Sequence, residues 1–222
     1  MKQLRLQAGQ SMTEFVIVAP VMFLLVFGAM QFGLIYHAKT TLNYATFEAA
    51  RSAAVNHAVK AAAESGLARG MAPLYTHEDS VSAVQAGRRQ VRDDIAAGFV
   101  EIERLSPPAS AFDDYGQGSA GDRSIPNDNL MYRDPALGKN SNLSIQDANL
   151  LKLRVTYCYP LYVPFANKVI VSLMSFAPSA SCEECVGPPA AGSLAKNCLD
   201  NERLPIVSQA IVRMQSEASE AW

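Results

Sequence analysis

No charged residue interrupts the chain from Phe15 to Tyr36, FVIVAPVMFLLVFGAMQFGLIY, whereas Glu14 precedes this run and His37 and Lys39 follow it. A helix over the run is about 33 Å long at 1.5 Å per residue, enough to cross a hydrocarbon core of about 30 Å. The pattern predicts a single transmembrane helix, residues 10–36, that holds the rest of the chain at a lipid bilayer. Within it Pro20 predicts a kink. Ala29 and Gly33, one turn apart, make a small-residue face, and Gln31 can hydrogen-bond across helices. These features suit lateral packing, although Gly and Pro are frequent in transmembrane helices in any case.

Past His37 the helical pattern continues, with alanine in place of Leu and Val. Phe47, Ala50, Ala54 and Ala58 fall on one face, and Gly66, Gly70 and Pro73 are expected to end it. Residues 37–66 are therefore expected to continue the membrane helix as a continuous or gently broken rod. A further helix is expected from Ser80 to Gly98, with Val81, Val84, Val91 and Ile95 as its stripe and its charges forming a solvated face. Strict alternation predicts strands at Phe99 to Leu105, Leu151 to Tyr159 and Leu204 to Gln215. Three strands make a small antiparallel sheet on which the long helix can lie, an α+β domain over residues 67–222.

Two stretches fit that scheme less directly. Residues 106–142, rich in Pro, Gly, Ser, Asp and Asn, predict a long surface loop. Its Asp113, Asp114, Asp122 and Asp128 lack the spacing of a calcium loop, so no metal site is expected. Residues 164–176 are amphipathic through Phe165, Val169, Leu173 and Phe176, and suit a core helix or a membrane-surface contact.

The first residues, MKQLRLQAG, form a short cationic segment ending at Gly9, followed by Gln10 and then Glu14-Phe15. The apolar run is too long for a secretory signal peptide and ends without a small-residue cleavage site. The order is instead that of a class of bacterial prepilins, cut after a Gly so that a Glu becomes the fifth mature residue. With Pro20, the Phe27-Gly28 and Phe32-Gly33 pairs and the alanine-rich segment around Ala49-Ala50-Arg51, the first quarter of the chain resembles the TadE family of minor pilins, or pseudopilins, of the Tad (Flp, tight-adherence) pilus system. The resemblance implies a pilin-like fold, a leader over residues 1–9 removed between Gly9 and Gln10, and residues 37–66 and 67–222 in the periplasm. It implies a single-pass protein of the bacterial inner membrane with a cytoplasmic N-terminus. The implied partners are a prepilin peptidase, other Tad pilins and inner-membrane assembly proteins. Glu14 and Phe15 would then serve assembly, Glu14 by pairing with the new amino terminus of a neighbouring subunit. Carrying a carboxylate to the bilayer centre costs roughly 2.5–3.5 kcal/mol, so Glu14 must stay at the interface or acquire such a partner. An ordinary signal-anchor helix that keeps its leader, bearing an extracytoplasmic binding domain, satisfies the same physics.

Composition adds exclusions. A net charge of -2 with scattered Lys and Arg leaves no basic stripe for nucleic acid. No nucleophile–base constellation, Walker A loop, zincin motif or dinucleotide fingerprint is present, so neither an enzyme nor a cofactor is expected. Cys158, Cys182, Cys185 and Cys198 include only one CxxC, too little for a zinc site. Outside the cytoplasm they suit two disulfides. Three pairings are open. A bond within the CxxC closes a very small loop, which favours Cys158 with one of its thiols and Cys198 with the other.

Overall fold

One helix, α1, runs unbroken from Gln10 to Val55, 46 residues, in the computed structural model of the chain, which describes residues 10–119, 121–163, 168–172 and 194–222. An aliphatic run passes directly into one rich in Ala, the residue that loses least on entering a helix. The rod does not reach residue 66 as the alanine pattern predicts. It stops at Val55, and His57 and Ala58 take left-handed backbone angles, φ 56° and 55°, that reverse the chain. Helix α2, Lys60–Tyr75, then returns along α1.

The reason lies in what an alanine face can do: it packs a helix hairpin as readily as it continues a rod. Gly66 and Gly70, expected as terminators, sit inside α2 where it touches α1 most closely. A Cβ added at Gly66 would lie 2.8 Å from Cα of Ala49, and one at Gly70 2.5 Å from Cα of Ala45. Pro73 also lies within α2.

Helix α3, Val81–Ala96, starts where expected, and the Ser80 hydroxyl caps it by accepting from the Ala83 N–H at 3.2 Å. Strands β1 (Val100–Ser106), β3 (Leu150–Pro160) and β4 (Arg203–Arg213) form the antiparallel sheet, in the order β1-β3-β4. Its register places Ile102 opposite Val155 and Val155 opposite Ser208. The α+β expectation of a long helix on a small sheet is correct. Leu151, Leu153, Val155 and Tyr157 of central β3 are all buried, sharing one core with Ala38, Leu42, Ala45, Ala49 and Ala53 of α1. Strand β4 lies against α1: Ser208 donates to Asn43 Oδ1 at 2.9 Å, and Lys39 Nζ donates to the Val207 carbonyl.

The charges of α3 are not all solvated. Asp94 is buried, accepting from the Tyr75 hydroxyl at 2.6 Å, with Arg203 Nη1 3.9 Å from its other oxygen. The Tyr157 hydroxyl lies 2.5 Å from that of Tyr75. Burial first, then the neighbouring Tyr157 and Asp94, hold the Tyr75 phenol far above its ordinary titration range. This knot joins α2, α3, β3 and β4. Val81, placed on the apolar stripe of α3, is by contrast exposed.

Residues 106–142 are more ordered than their composition predicts. They contain α4 (Ala109–Tyr115) and β2 (Ser124–Ile125), which pairs with β5 (Ala218–Ser219). Phe112 and Ile125 are fully buried, and Arg104 stacks 5.1 Å above the Phe112 ring. With Ala111 and Leu130, which are also buried, these apolar side chains pin a polar segment to the core. A short helix, α5, spans Ile145–Ala148, with the Ser144 hydroxyl accepting the Asp147 N–H at its start. Residues 168–172 are helical, with Val169 exposed, and the remainder of the amphipathic stretch 164–176 lies outside the described residues.

Asp113, Asp114 and Asp128 are held by separate partners, Asp128 by Arg133. Asp114 accepts from the backbone and side chains of Asn140 and Ser141, which hold its carboxyl below the usual range. Arg123 donates to the Glu220 carboxylate at 2.8 and 2.6 Å and to Asp113 at 2.7 Å. The bonds from Arg123 depress the Glu220 carboxyl to about 2 from its ordinary 4.5. A folded-state value below the unfolded one means that this contribution is present above pH 4.5 and lost as pH falls towards 2. Urea unfolding across that window should show a fall in stability that Glu220→Gln reduces. Equal pH slopes for the two proteins would remove Glu220 from the account.

At the far end of α1, the carbonyl of Ala54 accepts from the N–H groups of Gln215 and Ser216, at 3.0 and 3.2 Å, and from the Ser216 hydroxyl at 3.0 Å. His57 N–H donates to Ser216 Oγ at 2.8 Å. Carbonyls that a helix C-terminus leaves unpaired are thereby satisfied from the segment after β4.

Candidate functional site

Helix α1 changes character at Gln31. From Phe15 to Met30 it is apolar and uncovered on every side, with Leu24 56% and Leu25 60% exposed. A helix that served only the core would bury these residues. Leaving them bare in water is unfavourable, and the helix is long and apolar enough to cross a membrane. Beyond Gln31 one face is sealed against α2 and the sheet: Ala38 and Leu42 are each 1% exposed. The same helix is therefore an apolar stem at one end and a core element at the other.

Gln31 itself is fully buried, and its Oε1 accepts the Val163 N–H at 2.9 Å. Its Nε2 finds no acceptor among the described residues. Expected as a bridge to another helix, Gln31 is instead turned into its own domain, under the segment that leaves β3. The sequence pattern gives no sign of this, because the partner is a backbone group 132 positions away.

The small-residue face lies on the opposite side. Ala29 and Gly33 are exposed, and nothing lies within 4 Å of a Cβ placed on Gly33. At helical spacing the same face continues through Tyr36, Thr40, Tyr44, Phe47, Arg51 and Val55, all exposed, and Arg51 sits 5.8 Å from the Phe47 ring centre. One uninterrupted stripe thus joins the stem to the part of α1 that carries the domain. Phe47, expected on the same face as Ala50 and Ala54, lies on this open side while those two are buried.

Gln10 opens α1, and Glu14 and Phe15 follow one turn later, both exposed; Gly9 lies outside the described residues. Glu14 therefore stands at the mouth of the apolar stem.

The disulfide joins Cys158 of β3 to Cys198 of α6 (Leu194–Asp200), with Cα atoms 5.1 Å apart. This corrects the pairing expected from the spacing, in which each of these two met a CxxC thiol. Helix α6 packs on β3 and β4 and brings Cys198 directly over Cys158, a proximity that sequence separation does not reveal. Cys182 and Cys185 lie outside the described residues. Among the described residues no cluster of three or more His, Cys, Asp or Glu is placed to hold a metal ion.

Residues 9–51 match the family model of TadE-like proteins. The match begins at Gly9 and ends within α1, so it covers the stem, the change at Gln31 and most of the helix that the domain packs on. It agrees, over this segment, with the TadE resemblance of the N-terminal residues. No curated protein and no solved structure matches the chain.

Proposed function

We propose that this chain, TadE-like over residues 9–51, is a minor pilin or pseudopilin: a structural and assembly component of a bacterial Tad-type pilus machine, acting in pilus biogenesis and adherence. The observation that carries the reading is the single helix α1, bare and apolar along its first half and built into the domain along its second. A subunit made this way stores in the membrane by its stem and presents the open stripe from Ala29 to Val55 to neighbouring helices. It acts by interaction and not by catalysis. In this reading a prepilin peptidase cuts between Gly9 and Gln10 on the cytoplasmic side of the inner membrane. Glu14 then meets the amino terminus of an adjacent pilin, and the domain stands in the periplasm, where the Cys158–Cys198 bond is stable.

Intact mass and the N-terminal peptide test this directly, in protein recovered from membranes of cells with and without the matching peptidase. A peptidase-dependent N-terminus at Gln10 is expected, abolished by Gly9→Ala. Retention of residues 1–9 in both cells would leave a plain membrane anchor bearing an extracytoplasmic binding domain, with Gly9→Ala and Glu14→Ala both tolerated.

A further inference from the structure

We infer that the domain has a foot, residues 161–163, that enters the outer leaflet of the bilayer, so that the domain is seated in the membrane surface and does not stand above it on a free stem. The inference rests on the reading of α1 as a membrane span and follows from a mismatch of lengths. From Phe15 to Gln31 the helix rises about 24 Å, about 6 Å less than a hydrocarbon core of about 30 Å. Gln31 nevertheless already lies beneath the domain, bonded to the Val163 backbone. Tilting α1 shortens its projection and enlarges the deficit. Sliding the helix outward closes the gap only by drawing the Glu14 carboxylate into hydrocarbon, which is the more costly course. The domain edge next to Gln31 is left to lie below the outer hydrocarbon boundary.

The residues there have the chemistry for it. Leu161 and Val163 are apolar, and Tyr162 is 63% exposed with its ring edge-on to Tyr159 at 5.8 Å. Tyr36 and Phe32 of α1, 72% and 66% exposed, provide further aromatic surface on the helix above and below this level. Tyrosine favours the boundary between acyl chains and headgroups, where its ring is apolar-solvated and its hydroxyl wet. Non-helical backbone is tolerated at that depth only when its polar groups are satisfied within the protein. Gln31 meets part of that need by accepting the Val163 N–H, which gives an amide side chain in the middle of an apolar run a role. The occupant of this surface is lipid, because the foot is continuous with the bare stem.

Tryptophan depth measurements on the full chain in phosphatidylcholine–phosphatidylglycerol vesicles test the inference. Tyr162→Trp, Leu24→Trp and Val55→Trp are compared after subtraction of the signal from the single native tryptophan, Trp222. Lipids brominated high in their acyl chains should quench most of the Tyr162→Trp emission, those brominated near the chain ends should quench Leu24→Trp, and neither should quench Val55→Trp. Leu24→Trp quenched with Tyr162→Trp unquenched and water-like in emission would overturn the foot while leaving the membrane span intact. Leu24→Trp unquenched would overturn both. Tyr36→Trp reads the same depth from α1 without altering residues 161–163: quenching by shallow bromines supports the seating, and a water-like spectrum opposes it.

Discussion

Cys198→Ser will lower the unfolding free energy of the full chain in detergent by about 4 kcal/mol, and Cys158→Ser by the same amount. The bond spans a sequence separation of 40, and closing a loop of that size in the unfolded chain corresponds to about 4 kcal/mol in the chain-entropy account. A second effect acts in the same direction. Helix α6 has 7 residues, too short to hold as a helix by itself, and Cys198 is its fully buried anchor on the sheet. The double variant should cost no more than either single one, since both remove one bond. Urea unfolding monitored by far-ultraviolet circular dichroism gives the magnitudes, and peptide mapping without reductant gives the pairing. A Cys158 peptide linked to Cys182 or Cys185 would restore the pairing expected from sequence and remove the basis of the prediction.

Gly70→Ala is expected to destabilise the domain by about 3 kcal/mol, towards the upper end of what overpacking costs. Helix propensity alone argues the other way, because Ala inside a helix is better than Gly by about 1 kcal/mol. Contact geometry decides between them. The added methyl would meet Cα of Ala45 at 2.5 Å and its Cβ at 2.8 Å, and backbone cannot swing aside as a flexible side chain can. Helices α1 and α2 must therefore separate, which loosens Ala45, Ala49, Leu67 and Met71 together. Gly33→Ala is the matched control: nothing lies within 4 Å of its Cβ, so helix propensity acts alone and the change should be neutral to stabilising, by up to about 1 kcal/mol. A Gly70→Ala protein as stable as the parent would mean that the hairpin is looser than the contact distances require.

Much of this arrangement was legible from patterns with a period. The apolar run fixed the stem, the alternation in Leu151 to Tyr159 fixed the central strand, and Ser80 marked a helix start by its side-chain chemistry. The misreadings have a common cause. Each depends on a contact between residues far apart in the chain, and local periodicity carries no record of it. Alanine does not distinguish a rod from a hairpin, and Gly66 and Gly70 punctuate a helix or admit a neighbour with equal ease. Asp94 looks like any surface carboxylate until Tyr75 and Arg203 are brought to it. Cys198 reaches Cys158 through the placement of α6, and Gln31 reaches Val163 through the path out of β3. In residues 106–142 the buried side chains of Ala111, Phe112, Ile125 and Leu130 outweigh a polar composition. At the candidate site the apolar stem was legible from sequence. The open stripe through Tyr44, Phe47 and Val55 emerged only once the opposite face was seen to be sealed.

The cap on Ala54 also bears on the order of events during biogenesis. The groups that finish α1 belong to Gln215 and Ser216, some 160 residues later in the chain, and they follow the strand that completes the sheet. A polypeptide emerging N-terminus first secures its stem early, but its domain lacks both the third strand and the helix cap until nearly everything after the stem has emerged. The finished domain is thereby tied to a completed chain: a nascent or truncated one has its apolar stem but neither the closed sheet nor the cap on α1.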